Sequence, residues 1–450
     1  MPRTMVINVA GLSKNLIDAV PSLVSLAARG TCVDLEPVLP AVTCTMQATL
    51  TTGQPPARHG IIASGLYFFD TAEVRFWEQS ANLVTAPRVW ELAICDRGSQ
   101  ISNRRPKTAV LFWQQSLYGS ADVLLTPKPV HGPGGELVQD CYSRPADLYG
   151  RLVAGESALE PGNPRGPFNL MHYWGPMASV EASRWIADAS LQVWHDERPD
   201  LLLTYLPHLD YSGHRDGPES DQHRAAARQL EPLVAPLIAA AEEDGGRAIV
   251  LSEYAFLAVG RTVAPNRALR EAGLTAIREV HGAEYLHPGD SRAFAMVDNQ
   301  VAHIYFPRTA DLAADVRKVK RLLKRLDGVA DVLDRTEMGQ RGLDHPRSGE
   351  LVALAEPDAH FVYYWWLDDA NAPPFARTVD IHAKPGFDAA ELFVDPETKA
   401  IPLSAERVRG SHGLALDDGR GWGVFLASPA PAELAGRKSL RATEVAHLLI

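Results

Sequence analysis

The stretch Leu39-Pro-Ala-Val-Thr-Cys-Thr-Met-Gln-Ala-Thr-Leu-Thr-Thr-Gly53, followed by Arg58-His-Gly-Ile61, places a hydroxyl group directly after a proline-led extended segment. That hydroxyl belongs to Thr43, and we expect a helix to begin near it. The free N–H groups at a helix start favour an anionic phosphoryl group. A threonine hydroxyl is a poor nucleophile unless a base or a cation stabilises its alkoxide. Thr43 is therefore either a nucleophile beside a metal site or an ordinary helix N-cap.

Apolar runs on either side of this stretch predict a parallel sheet. Buried strands are expected at 5–9, 108–113, 201–206 and 248–252, and helical patterns span 17–28 and about 220–243. A strand, a helix and a second strand of these lengths predict a βαβ unit. Strands that are apolar along their whole length fit a sheet covered by helices on both faces. We therefore expect an α/β fold.

The sequence changes character between about residues 265 and 403. This part contains short predicted strands, a helix rich in Lys and Arg, and long loops with Pro and Gly. We interpret residues 265–403 as an inserted cap subdomain. Residues 1–264 and 404–450 would then form the core that carries the main sheet.

The composition excludes some classes of function. The chain has 450 residues and a formal net charge of −11, which argues against binding of a nucleic-acid polymer. A small anionic substrate is compatible with this charge, because such a substrate responds mainly to a local metal ion. The four cysteines are scattered, and no apolar run reaches the roughly 20 residues of a membrane helix. We predict a cytoplasmic protein with reduced thiols and no membrane partner.

Three residues combine the side chains that divalent metals prefer. Asp210 and His214 are four residues apart in a Gly-containing segment, so they can converge on one cation. His412 lies between Gly and Ser and is the candidate third ligand. Taken alone, each motif has an ordinary alternative. Asp210 and His214 could be a solvated aspartate and a surface histidine, and His412 could be a loop histidine.

Taken together, the motifs resemble the alkaline phosphatase superfamily, and most closely its nucleotide pyrophosphatase/phosphodiesterase branch. That branch has a threonine nucleophile, a Thr-Gly pair and a His-Gly-Ile turn, which are similar to Thr43, Thr52-Gly53 and the turn that begins at His59. Its Asp-x-x-Gly-His-x-x-Gly-Pro segment matches 210–218, and its Gly-x-His-Gly loop matches 410–413. The resemblance implies an alkaline-phosphatase-like, mostly parallel sheet with helices on both faces and an inserted cap.

The resemblance also implies a set of metal ligands. One ion would be held by Asp210, His214 and His412, all of which are present. The expected metal is zinc, as one or two ions, with manganese or iron as alternatives. The other ion of the family is held by the nucleophile, an aspartate of the first strand and an Asp-His pair.

The chain departs from the family pattern at the second metal site. Ala10 stands at the first-strand aspartate, and the Asp-His pair reads Glu253-Tyr254. Asn8 shares a strand face with Ala10 and would offer a neutral oxygen. We predict that Asn8 and Glu253 contact a cation or Thr43, at a site that is weakened, altered in its metal preference or lost.

The resemblance implies a metal-dependent phosphodiesterase or nucleotide pyrophosphatase-like hydrolase with a small phosphorylated substrate. A weakened second site should impair monoester turnover most, because a diester carries less charge. A phosphonate hydrolase is an alternative, and so is a degenerate relative that binds a metal or a small molecule in a biosynthetic pathway. Assembly into a homodimer is left open.

Three further residues are candidates for substrate binding. Tyr67 belongs to an aromatic segment shortly after the His-Gly-Ile turn, and this segment could line a pocket or stack on an aryl group. The alternative for this segment is core packing. His172 and Trp174 lie in a polar, aromatic segment that we expect to be a loop near the substrate.

Overall fold

The computed structural model describes residues 2–95, 106–134 and 136–449, and a nine-stranded sheet forms its centre. All of its strands run in one direction except Gly423–Ser428 and Cys141–Arg144. In spatial order the strands are Ser439–Arg441, Thr31–Glu36, Gly423–Ser428, Arg247–Leu251, Thr4–Val9, Leu201–Leu206, Thr108–Leu111, Val123–Pro127 and Cys141–Arg144.

Helices cover both faces of this sheet. One face packs against Leu23, Trp194 and Leu237, and the other packs against Met46 and Leu50. The α-helices are Pro21–Arg29, Thr43–Thr52, Pro56–His59, Val89–Cys95, Leu148–Ala154, Val180–Asp196, His208–Asp216, Asp221–Arg228, Glu231–Glu243, Pro265–Glu271, Leu312–Leu323, Arg335–Gln340 and Ala446–Leu449. The predicted α/β architecture is confirmed.

Two predicted helical stretches are each divided, and in both a proline explains the division. The apolar pattern at 17–28 becomes the 3-10 helix Lys14–Ala19 and the α-helix Pro21–Arg29, which begins at its proline. The pattern at 220–243 becomes Asp221–Arg228 and Glu231–Glu243, with a proline in the first turn of the latter. Proline has no N–H to donate, so it fits the first helical turn and starts a new helix there.

A second, antiparallel sheet lies within the part of the chain expected to be inserted. Its four strands, in order, are Phe294–Asp298, Val301–Tyr305, Leu351–Ala355 and Val329–Asp334. The helix Leu312–Leu323 packs on it with Val319 and Leu323. The boundaries of a cap at 265 and 403 stay a prediction.

Smaller elements complete the described chain. Paired short strands are Gly65–Phe68 with Glu73–Phe76, Val130–His131 with Leu137–Val138, Leu257–Ala258 with Gly410–Ser411, Arg261–Val263 with Ala359–Phe361, and Ile277–Val280 with Ala283–Leu286. Further 3-10 helices are Ala81–Leu83, Leu170–His172, Pro288–Asp290, Asp369–Asn371, Pro374–Arg377, Ala389–Leu392, Ala405–Arg407, Ala432–Leu434 and Ala442–Glu444.

Two predictions from composition concern the thiols and the membrane. Cys32, Cys44 and Cys141 are free thiols, and the side chain of Cys95 lies outside the described part of the chain. None of the helices among the described residues has the length and apolar character needed to cross a bilayer.

Candidate active site

The candidate catalytic residues meet at the carboxyl ends of neighbouring parallel strands. Asn8 lies near the end of Thr4–Val9, which pairs with Leu201–Leu206 on one side and Arg247–Leu251 on the other. Asp210 and Glu253 follow those two neighbours directly along the chain. Ligand sites in open α/β sheets gather at this edge, because the loops that follow the strands converge there.

Thr43 is the first residue of the helix Thr43–Thr52. The preceding residue, Val42, is the extended N-cap, and its side chain makes no capping hydrogen bond. The alternative that Thr43 is an ordinary N-cap is therefore wrong. Its buried hydroxyl lies 3.0 Å from the hydroxyl of Tyr254 and lines a cavity above the sheet edge.

Asp210, His214 and His412 form the one group among the described residues in which three or more metal-ligating side chains converge. Their ligand atoms lie within 4.8 Å of one another, and the Nε2 atoms of both imidazoles are 3.7 Å from Asp210 Oδ1. Asp210 and His214 converge, as their spacing predicted, because both lie on the helix His208–Asp216, where positions four apart share a face.

Hydrogen bonds to the backbone fix the orientation of both imidazoles. His214 Nδ1 donates to the carbonyl of Gly410 at 2.9 Å, and His412 Nδ1 donates to the carbonyl of Ala41 at 2.8 Å. Each Nε2 is then the unprotonated nitrogen, and that of His214 is buried without a partner among the described residues. An outer donor bond that leaves Nε2 bare is the usual arrangement of a metal-ligating histidine. The residues present therefore fit a divalent metal.

Burial keeps both histidines neutral. It lowers the pKa of His214 to about 4 and moves the pKa of His412 well below its ordinary value. Burial also raises the pKa of Asp210 to about 7, although the hydrogen bond from Tyr254 opposes this shift. Neutral imidazoles are the form that binds a metal.

Tyr254 connects the nucleophile candidate to the metal-ligating group. Its hydroxyl donates to Asp210 Oδ1 at 2.9 Å and so accepts the hydrogen of the Thr43 hydroxyl. Its ring stacks on that of His412 with a centroid separation of 3.6 Å. Burial holds the pKa of Tyr254 well above its ordinary value, so the residue is a neutral phenol.

Asn8 and Glu253 bind each other directly. Asn8 Nδ2 donates to Glu253 Oε1 at 2.7 Å, and Gln47 Nε2 donates to the same oxygen at 2.6 Å. Burial raises the pKa of Glu253 to about 8, against the opposing effects of Gln47, Asn8 and Thr43. Glu253 Oε2 and Asn8 Oδ1 are buried without a partner among the described residues. Asn8, Gln47 and Glu253 together therefore offer one carboxyl group and no imidazole.

Close backbone packing positions the loop that carries His412. Gly410 lies against helix His208–Asp216 so tightly that a Cβ would be 2.2 Å from the carbonyl oxygen of Gly213. Gly413 has a φ of +126°, and its carbonyl accepts from Ala41 N at 2.8 Å. Because larger residues would disturb both contacts, the glycines flanking His412 hold the imidazole against the Thr43 segment.

The comparisons with known proteins agree with this geometry. Residues 4–388 match the family model described as type I phosphodiesterase / nucleotide pyrophosphatase. The chain belongs to that family. It is 25% identical, over 223 residues, to an uncharacterized pyrophosphatase/phosphodiesterase of Schizosaccharomyces pombe. That match covers 48% of this chain and 36% of the length of the curated relative.

Solved structures support the same fold for this member of the phosphodiesterase family. The phosphonoacetate hydrolase of Sinorhizobium meliloti 1021, in complex with phosphonoformate, superposes with a TM-score of 0.62 and 17% identity, over 100% of this chain and 95% of that one. Murine ectonucleotide pyrophosphatase / phosphodiesterase 5 superposes with a TM-score of 0.59 and 14% identity, over 99% and 94%. These similarities show the alkaline-phosphatase-like fold.

The cavity above Thr43 contains one of the three predicted substrate-binding residues. Trp174 lines it, and the indole N–H of Trp174 donates to Glu391. Tyr67 is buried in an aromatic cluster with Phe294, in line with the core-packing alternative, and is not among the lining residues. His172 is also outside the lining and contacts Ser179 instead, with 3.2 Å between Nδ1 and Oγ.

Sequence reasoning missed Gln47, although a usable signal existed. Gln47 follows Thr43 by four residues on the same helix, so both side chains lie on one face. Its amide donates to Glu253, and its oxygen accepts from the backbone N–H of Gln114 at 2.6 Å. Phe387 in the cavity wall was also missed, and its position depends on contacts between distant segments. Trp77, which ends the aromatic segment that begins at Tyr67, does line the cavity.

Proposed function

We propose that the chain is a metal-dependent phosphodiesterase or pyrophosphatase-like hydrolase that uses Thr43 as its nucleophile. The observation that carries this proposal is the position of the Thr43 hydroxyl. It lines the cavity at a helix start and donates to Tyr254, whose own hydroxyl donates to Asp210. With its hydrogen held by Tyr254, Thr43 Oγ1 keeps its lone pairs free for an incoming phosphorus atom.

Asp210, His214 and His412 would hold a divalent cation. Two neutral imidazoles and a carboxylate leave an open position and match catalytic zinc sites, and manganese or iron are alternatives. When bound, the cation would supply positive charge to the phosphoryl oxygens.

We propose that this is the main metal site, and that a second ion binds weakly or not at all. Glu253 and Asn8 offer one carboxyl group and one amide oxygen, and Tyr254 stands where the family has a histidine. The hydrogen bond between them uses Asn8 Nδ2 and Glu253 Oε1, so among the described residues only one oxygen of each group stays without a partner.

In the proposed reaction the Thr43 oxygen attacks phosphorus in line. A bond forms between Oγ1 and phosphorus while the bond to the leaving oxygen breaks. The hydroxyl proton of Thr43 ends on the leaving group, which departs as an alcohol and leaves a phosphothreonine. Water then cleaves the new bond and restores the hydroxyl. The first N–H groups of helix Thr43–Thr52 have no partner within the helix, and they would favour the negative charge of a phosphoryl group bound there.

Residues 265–403 are proposed as a cap that closes over a small phosphorylated substrate. Asn299, Ile381 and Phe387 reach the cavity from this part of the chain. The turn between two strands of the second sheet also meets the His412 loop, where Gln300 N donates to the His412 carbonyl at 3.1 Å. The cytoplasmic location and the homodimer stay predictions.

Two variants at one position test the proposal. Zinc-loaded protein is assayed with bis(p-nitrophenyl) phosphate. Thr43→Ala, which lacks the hydroxyl, should lower kcat by about a thousandfold or more. Thr43→Ser, which keeps a hydroxyl, should retain measurable turnover. Metal content and melting temperature of both variants should equal those of the parent chain.

One observation favours a rival function, because Tyr254 replaces a metal-ligating histidine of the family. The rival is a degenerate member that binds a metal or a small molecule without turnover. Absence of hydrolysis across diesters, monoesters and phosphonates, with one tight metal per chain, would support it. Undiminished hydrolysis by Thr43→Ala would instead remove Thr43 from the mechanism.

A further inference from the structure

The wall of the cavity above Thr43 is mostly aromatic and aliphatic. The cavity has a volume of about 170 Å³ and opens above the Thr43 hydroxyl. Its aromatic side chains come from segments far apart in the chain and include Trp77, Phe112, Tyr173, Trp174, Tyr205 and Phe387. Such a wall removes apolar groups from water, and ring edges and faces add favourable contacts with an aryl group.

The amide side chains in the wall are already paired with protein groups. Gln79 Nε2 donates to Gln114 Oε1 at 2.7 Å. Asn299 Nδ2 donates to Asp298 at 3.1 Å, and its oxygen accepts from Ser411 at 3.3 Å. These amides therefore complete the wall, and they are not held open to receive a charged group of a ligand.

The described lining of the cavity contains no Lys or Arg. It includes the carboxyl group of Asp210 and the imidazoles of His382 and His412. Behind the wall, Lys384 is 1% exposed and lies between Asp388 and Glu391 at 2.8 Å and 2.7 Å. Its charge is neutralised by these partners, so it cannot serve a substrate.

A divalent cation beside Asp210 would leave a local charge of about one positive unit. That charge matches a substrate with a single negative charge. A carboxylate or a second phosphate on the substrate would meet a mostly apolar wall with no Lys or Arg among its described residues, and a charge without such a partner is disfavoured there.

From these observations we propose a substrate class for this site: phosphoric or phosphonic esters with one negative charge and an uncharged aryl or alkyl group. The class excludes phosphonates that carry a carboxylate, as well as nucleoside polyphosphates. This inference rests on the proposed hydrolase function and specifies which esters the cavity accepts.

The first test compares substrates with the zinc-loaded protein. The apolar substrates are bis(p-nitrophenyl) phosphate and p-nitrophenyl phenylphosphonate, and the highly charged ones are phosphonoacetate and adenosine triphosphate. We expect kcat/KM to be at least about a hundredfold higher for the apolar pair, which equals about 3 kcal/mol. Equal or faster turnover of phosphonoacetate or the triphosphate would overturn the inference while leaving the hydrolase proposal intact.

A second test adds the missing cation. Ile381 lines the cavity from a half-buried position, so Ile381→Lys should fold and bring an ammonium group to the wall. We expect the ratio of kcat/KM for phosphonoacetate to that for the phenylphosphonate ester to rise about tenfold. Val394→Lys is the matched control, because Val394 is 45% exposed and does not line the cavity. An unchanged ratio in Ile381→Lys would contradict the inference.

A binding measurement separates this inference from the hydrolase proposal. Calorimetry with zinc-loaded Thr43→Ala compares methyl phenylphosphonate with phosphonoacetate and requires no turnover. Tighter binding of methyl phenylphosphonate supports the substrate class even if no ester is hydrolysed. Tighter binding of phosphonoacetate refutes it.

Discussion

Glu253→Gln tests whether the acid at the proposed second metal site is neutral in the folded protein. Burial raises the pKa of Glu253 from its ordinary value of 4.5 to about 8. The folded protein therefore holds a proton that the unfolded chain releases above pH 4.5. Glutamine has nearly the same shape as the protonated acid but cannot ionise, so the variant isolates this proton.

The sign and size follow from proton linkage. The contribution of Glu253 to the free energy of unfolding is fully present below the pKa of the unfolded chain. It falls as the pH rises and levels off once the pH exceeds the pKa of the folded protein. Each pH unit within this window corresponds to about 1.4 kcal/mol. Between pH 5 and 8, metal-free parent protein should lose about 3 kcal/mol of unfolding free energy relative to Glu253→Gln. Above pH 9 the difference should no longer change.

The assay is urea denaturation of EDTA-treated protein at several pH values. The comparison cancels other buried carboxyl groups, such as Asp210 and Asp298, because both proteins contain them. Glu243→Gln is the control, since Glu243 is exposed at the end of its helix and should give curves parallel to those of the parent at every pH. A constant difference between the parent and Glu253→Gln across pH 5–8 would refute a protonated Glu253.

Three further variants test the remaining contacts. Tyr254→Phe removes the hydroxyl that accepts the hydrogen of Thr43, the proposed nucleophile, and steady-state kinetics should give about a tenfold lower kcat with zinc content unchanged. His214→Ala removes a ligand whose Nε2 has no protein partner, so elemental analysis after dialysis should find far less zinc. Lys384→Met leaves Asp388 and Glu391 buried without their cation and should lower the free energy of unfolding by about 3–5 kcal/mol in urea denaturation.

Each of these variants has an opposing outcome, and two of them have a matched control variant. A kcat of Tyr254→Phe equal to that of the parent chain would mean that the Tyr254 hydroxyl does not orient Thr43. His281→Ala changes an exposed histidine and should keep its zinc, whereas full zinc content in His214→Ala would contradict the metal site. Lys438→Met changes an exposed lysine and should leave the free energy of unfolding nearly unchanged. If Lys384→Met were as stable as the parent chain, the buried ion pair would make no net contribution to stability.

Local patterns predicted much of this architecture because strands and helices bury characteristic faces. The run Leu201–Leu206 is a strand with the bounds expected from its apolar residues. Helix bounds were less accurate where a proline restarts a helix, as at Pro21. Tyr67 illustrates the limit for substrate residues, because its ring packs against Phe294, which is more than two hundred positions away.

The amino-acid sequence by itself identified candidate metal ligands and the nucleophile candidate. Asp210 and His214 are four residues apart, so any helix through them brings both side chains to one face. Thr43 follows an extended segment, so its hydroxyl lies at a helix start. These relations act over a few residues, and backbone geometry alone enforces them.

Only the tertiary structure decided how these groups are connected and charged. It brought Tyr254 between Thr43 and Asp210, joined Asn8 to Glu253, and enclosed an apolar cavity above them. The physical reason is burial: loss of water shifts the pKa of Glu253 upward, and that loss depends on segments far apart in the chain. The stretch around Thr43 thus indicates a nucleophile, and the packing around it determines how its hydroxyl is held.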